Sequence, residues 1–150
     1  MRRLLPALLA ATLVAAPALA ADTPANSIKY RQNVMKAMSA HVSAFFAVNM
    51  GSVSNPGHLK AHASALADLG AMTKDLFPAG SDAGAPTDAL PLIWQEQAQF
   101  AKAVAAMEES SAALKKAVDA GDKAATGQAA KALGDACKGC HDRFRKEQKT

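Results

Sequence analysis

The sequence is short of almost everything that builds a β-sheet. Only 5% of its 150 residues are aromatic. β-Branched residues are few, whereas strands draw on valine, isoleucine, threonine and aromatics. No stretch shows the two-residue alternation of a half-buried strand. Alanine, the best helix former, dominates instead, and half of the chain is hydrophobic. Charge of one sign is also scarce. The formal net charge of +4 falls to +2 without Arg2 and Arg3. That balance gives no argument for a nucleic acid or an anionic membrane as partner. What remains is the composition of one small all-α domain.

Cysteine is scarce too, and its placement is informative. The chain has two cysteines, both within Cys137-Lys138-Gly139-Cys140-His141. This C-x-x-C-H sequence is the attachment signature of a c-type haem. Two thiols add across the two vinyl groups of the porphyrin, and the adjacent histidine reaches the iron. On a helix, residues three and four apart share a face, so Cys137, Cys140 and His141 are expected to point at one flat object. The tether opposes loss of the imidazole, a standard proximal ligand. A redox dithiol would expect a βαβ pattern nearby, and none exists. A structural zinc site needs four ligands, and no second Cys or His pair stands at suitable spacing. The implied cofactor is one covalent haem c.

Residues 1–20 stand apart. Arg2 and Arg3 precede an apolar run from Leu4 to Ala16, Pro17 breaks it, and Ala18-Leu19-Ala20 has the A-x-A form of a cleavage site. This reads as a signal peptide, and haem attachment outside the cytoplasm agrees with export to a periplasm. No membrane attachment is expected after cleavage. Residues 21–150 then form a single domain, large enough to bury about two-thirds of its unfolded surface.

Four helices are expected. The first runs from about Thr23 to Met50, capped by Thr23 or Asn26, with Ile28, Met35 and Val42 in one row and Met38 and Phe45 in the next. This seven-residue repeat suits lengthwise packing in a bundle. Arg31 lies on the same face as Met35 and Met38, where a cation either finds an anion, such as a haem propionate, or snorkels to solvent at the edge of the stripe. The second runs from Pro56 to Leu76 with Asn55 as cap, and its His58 and His62, one turn apart, read as surface residues on the polar face rather than as a metal pair, because no third ligand is evident. A loop of residues 78–90, long for a bundle, either closes one edge of the cofactor or is a plain crossover connection. The third opens at Pro91 and ends near Ala120, with Ile93, Gln97, Phe100, Val104, Met107, Ser111, Leu114 and Val118 as its stripe. Trp94 adjoins that stripe, beside the cofactor or under the long loop. Gly121 and Asp122 separate it from the fourth, Lys123 to Lys146, which carries the haem motif. The fold class is an all-α, antiparallel four-helix bundle with covalent haem near the C-terminal helix.

With these features the chain resembles the class II cytochromes c, the cytochrome c′ family. The matching pieces are Ile28-Lys29-Tyr30-Arg31-Gln32, Leu90-Pro91-Leu92-Ile93-Trp94 and Cys137 through Arg145. The resemblance implies that Cys137 and Cys140 carry the haem and that His141 is the proximal ligand. It implies that Arg31 and Gln32 contact the haem edge and propionates, and that Arg145 lies near the proximal histidine. It also implies that Met35 faces the open side of the iron. The context of Met35 resembles the low-spin branch, in which a methionine is the distal ligand. Met38, one turn along, is a lesser rival. A homodimer through the first two helices is compatible with the family and with alanine-rich faces and Phe46.

The primary expectation is a periplasmic monohaem cytochrome with His/Met ligation that exchanges electrons with redox partner proteins. The alternative is a five-coordinate, high-spin protein that binds NO or CO at a vacant distal site. Catalysis is not expected, since no histidine stands near Met35 on its face and His41 is six residues away.

Overall fold

The computed structural model describes residues 22–147; the expected signal peptide lies outside them. Thr23 starts the first helix, because its Oγ1 accepts the Asn26 N–H at 3.3 Å and Pro24 follows with its φ already set. Helix α1 runs Pro24–Asn49. Ile28, Met38 and Phe45 of its expected stripe are buried, and Met35 and Val42 are half-buried. Phe46 is half-buried, packing against the core and edge-on to Phe45.

Helix α2 covers His58–Met72 and tightens into a 3₁₀ turn over Thr73–Asp75. Asn55, expected from the sequence to cap it, does not do so. Pro56 and Gly57 instead form a turn in which the Asn55 carbonyl accepts the His58 N–H at 2.9 Å, and Gly57 takes the cap position. The expected third helix is two. A short α3, Leu92–Gln95, is broken from α4, Gln97–Ala120, at Glu96, whose φ of −110° and ψ of 52° leave helical geometry. Gln97 accordingly falls on the exposed side, while Val104, Met107, Ser111, Leu114 and Val118 are buried as expected.

Gly121 ends α4 at a φ of 71°, a left-handed turn that glycine adopts without steric cost. Asp122 then caps α5, Lys123–Phe144, by accepting the Ala125 N–H at 2.9 Å. Helix α1 packs on α2, α2 on α4 and α4 on α5. One core runs through all four, from Phe45 and Leu66 to Leu114 and Leu133. Helices α1 and α5 make no comparable contact. The bundle is therefore open along one seam, and the functional residues lie there.

Candidate haem site

The last turns of α5 bring Cys140, His141 and Phe144 to one wall of a 360 Å³ cavity. Arg31, Gln32 and Met35 of α1 form the facing wall. Between them stand Phe77, Ile93 and Phe100, and Thr87–Ala89 close one edge. The size is in the range of small-molecule and cofactor sites. The walls are joined by aromatic edges. Phe77 meets Phe100 at 4.9 Å between centroids, and Phe100 meets Phe144 at 5.2 Å.

The long loop is fixed from two sides. Arg31, only 3% exposed, donates to the Leu76 carbonyl (3.3 Å), the Ser81 hydroxyl and carbonyl (both 2.9 Å) and the Thr87 hydroxyl (3.1 Å). The Gln32 amide donates to the Pro86 carbonyl at 2.9 Å. On the other side the chain after α5 lies against the loop. Leu90 N–H donates to the Phe144 carbonyl at 2.9 Å, and Lys146 N–H donates to the Asp88 carbonyl at 2.8 Å, bridging Ala89 to Arg145. The loop thus walls the cavity and is more than a plain crossover connection. Trp94 lies under it, donating to the Pro78 carbonyl at 3.2 Å.

Arg31 departs from expectation in one respect. The sequence offers it an anion or solvent, yet its four acceptors here are uncharged oxygens. Its guanidinium also lies 4.9 Å from the Phe77 ring centroid, a cation–π contact. Burial pushes its pKa down. The charge is held by dipoles and a ring face at the cavity wall, which leaves it complementary to an acid group placed in the cavity.

The electrostatics of α5 suit neutral donors. Burial lowers the His141 pKa, and the nearby Arg145 charge lowers it further against the opposing pull of Asp142. A neutral imidazole is the form that binds a metal. Burial raises both thiols, and for Cys140 the adjacent Cys137 adds to the effect while Arg145 opposes it.

Six of the seven residues singled out in the sequence line the cavity: Arg31, Gln32, Met35, Cys140, His141 and Arg145. Cys137 does not. It is half-buried, and its thiol donates weakly to the buried Met107 thioether, Sγ to Sδ 3.9 Å. Its Cβ still shares a helix face with that of Cys140. Met38 is buried in the core, which removes it as a rival ligand. The sequence did not single out Phe77, Ser81 or Thr87, whose irregular setting carries no periodicity to place them.

The site fits a covalently tethered haem. The donor set combines two thiols, a neutral imidazole and a facing thioether. The cavity between them is apolar-walled and carries a buried guanidinium at its edge.

A family model described as Cytochrome C′ matches residues 26–145. The cytochrome c′ of Rhodospirillum rubrum is 33% identical over 144 residues, covering 96% of this chain and 97% of its own. The crystal structure of cytochrome c′ from Rubrivivax gelatinosus is similar with a TM-score of 0.78 at 28% identity, over 82% of this chain and 97% of that one. A ferrous variant of cytochrome c′ from Alcaligenes xylosoxidans with bound NO gives a TM-score of 0.76 at 31% identity, over 83% and 97%. None of these names points to the low-spin, methionine-ligated branch expected from the context of Met35.

Proposed function

Because the chain belongs to the cytochrome c′ family, whose members carry covalently attached haem c, we propose that it binds NO or CO on the α1 side of the haem, opposite His141. The observation that carries this is the wall facing His141. There α1 presents the neutral thioether of Met35 beside Phe77 and Ile93, in the seam that α1 and α5 leave open. Support also comes from the Alcaligenes relative, described with bound NO and, as another variant, with bound carbon monoxide.

The haem supplies the iron that binds a diatomic gas or exchanges an electron. The chain supplies the rest. When the haem is bound, Cys137 and Cys140 would tether it to α5. His141, whose pKa burial and the Arg145 charge lower, would offer its lone pair from the same helix. Arg31 would compensate a propionate charge at the cavity edge. The aromatic walls admit small neutral molecules and disfavour charged ones, because an ion entering such a wall loses its hydration. We place the protein in a periplasm, acting by binding and without catalysis.

A second reading rests on one observation. Met35 lines the same cavity as His141 from the facing helix, and its unbranched thioether is adaptable enough to serve as sixth ligand. That arrangement suits electron transfer to redox partner proteins, since a filled site rearranges little between oxidation states. The substitution Met35→Ala separates the two. On the gas-binding reading the ferric spectrum is high-spin before and after the change. A shift from low-spin to high-spin on losing Met35 replaces it with the electron-transfer reading.

A further inference from the structure

Outside the cavity, one pair of chemically capable side chains has no part in the haem site. His41 of α1 and His62 of α2 meet across the helix pair with their Nδ1 atoms 3.0 Å apart. Both are half-buried. Their rings stand at 60° to one another with centroids 5.3 Å apart. Neither lines the haem cavity. One Nδ1–H donates to the other's lone pair, so the two nitrogens face each other from two packed helices.

We propose that His41 and His62 form a two-imidazole site for a divalent transition-metal cation of the Cu(II) type. Imidazole nitrogens bind such ions at about 2.0–2.1 Å. Two ligands at right angles around one ion then lie about 2.9 Å apart, and two tetrahedral ligands about 3.3 Å apart. The observed 3.0 Å is the length of the hydrogen bond itself and lies between the two values, so small side-chain rotations reach either geometry. Among divalent first-row ions, Cu(II) binds nitrogen ligands most strongly. No proton need be lost. The donating ring shifts its hydrogen from Nδ1 to Nε2, and both imidazoles stay neutral while both Nδ1 lone pairs turn to the ion.

Among the described residues no cluster of three or more His, Cys, Asp or Glu completes a metal cage, so water fills the other positions. Half-burial leaves them accessible. The rival pair is His58 with His62, one turn apart on α2. His58 is exposed, and its ring makes no contact comparable to that of His41.

The test is electron paramagnetic resonance of the haem-loaded, signal-cleaved protein titrated with Cu(II). The expected result is one axial Cu(II) signal at one equivalent, split by two imidazole nitrogens and distinct from the ferric haem. That pattern should be lost in His41→Ala, His62→Ala and His41→Gln, and retained in His58→Ala. The glutamine variant keeps a hydrogen-bonding side chain against His62, and unchanged helical circular dichroism shows that the bundle is intact. Persistence of the two-nitrogen signal in the His41 variants, its loss in His58→Ala, or no such signal in the unaltered protein would each overturn the assignment.

Discussion

The two sides of the bundle solve opposite problems. Between α2 and α4 the helices approach so closely that a Cβ on Gly70 would lie 2.3 Å from the Ser111 Oγ. Ser111 itself is fully buried and turns its hydroxyl back to the Glu108 carbonyl at 3.0 Å. Between α1 and α5 the helices stand apart, and a 360 Å³ cavity occupies the interval. Small residues close the first seam. Large aromatics and a buried arginine hold the second open, with the 78–90 loop as a strap across its edge. The contrast shows how one core supports both a tight helix pair and a cofactor slot. The cost of the slot is met by contacts at its rim, not by helix-to-helix packing.

The open seam should be the more sensitive of the two. Phe144 is 3% exposed and stacks edge-on to Phe100. Phe144→Ala should lower unfolding stability by about 3–5 kcal/mol, seen as a shift in the urea midpoint of the haem-loaded protein. A loss below about 1 kcal/mol would mean that the cavity wall is not part of the folded core. Arg31→Leu comes next. It leaves the Ser81 and Thr87 oxygens without their donor, at a cost of about 2–4 kcal/mol. Amide hydrogen exchange should rise across residues 78–90 and stay unchanged in α4. Uniform exchange throughout the bundle would contradict the strap.

The closed seam should give the smallest effect. Gly70→Ala forces the Ser111 hydroxyl to move and should cost about 1–3 kcal/mol. Combining it with Ser111→Ala should recover part of that loss, because the 2.3 Å contact disappears while the 3.1 Å contact to Cβ remains. Additive losses in the double variant would show that the two residues do not compete for the same space.

Much of this was readable from the residues, for reasons that differ by region. The C-x-x-C-H sequence was legible because the chemistry demands those residue types in that order. The four long helices were legible because alanine-rich periodic stretches have few other ways to bury their apolar face. The partners of Arg31 were not legible. Ser81 and Thr87 lie 50 and 56 residues beyond it, in a stretch with no period. The break at Glu96 was also hidden, since glutamate is a good helix former and its departure from the helix accompanies a pairing with Arg143, 47 residues away. His41 and His62 were seen as separate residues. Only the packing of α1 on α2 shows them as a pair. The inward turn of Cys137 toward Met107 likewise depends on a neighbouring helix and not on spacing.

We propose that the α1 side of the haem is open to a small neutral ligand. The most direct test is the absorption spectrum of the ferrous protein with and without carbon monoxide. A high-spin spectrum that changes promptly on adding the gas is the result expected from an apolar, unfilled distal face. A low-spin ferrous spectrum that stays the same under carbon monoxide would contradict it and would mean that Met35 already holds the sixth position.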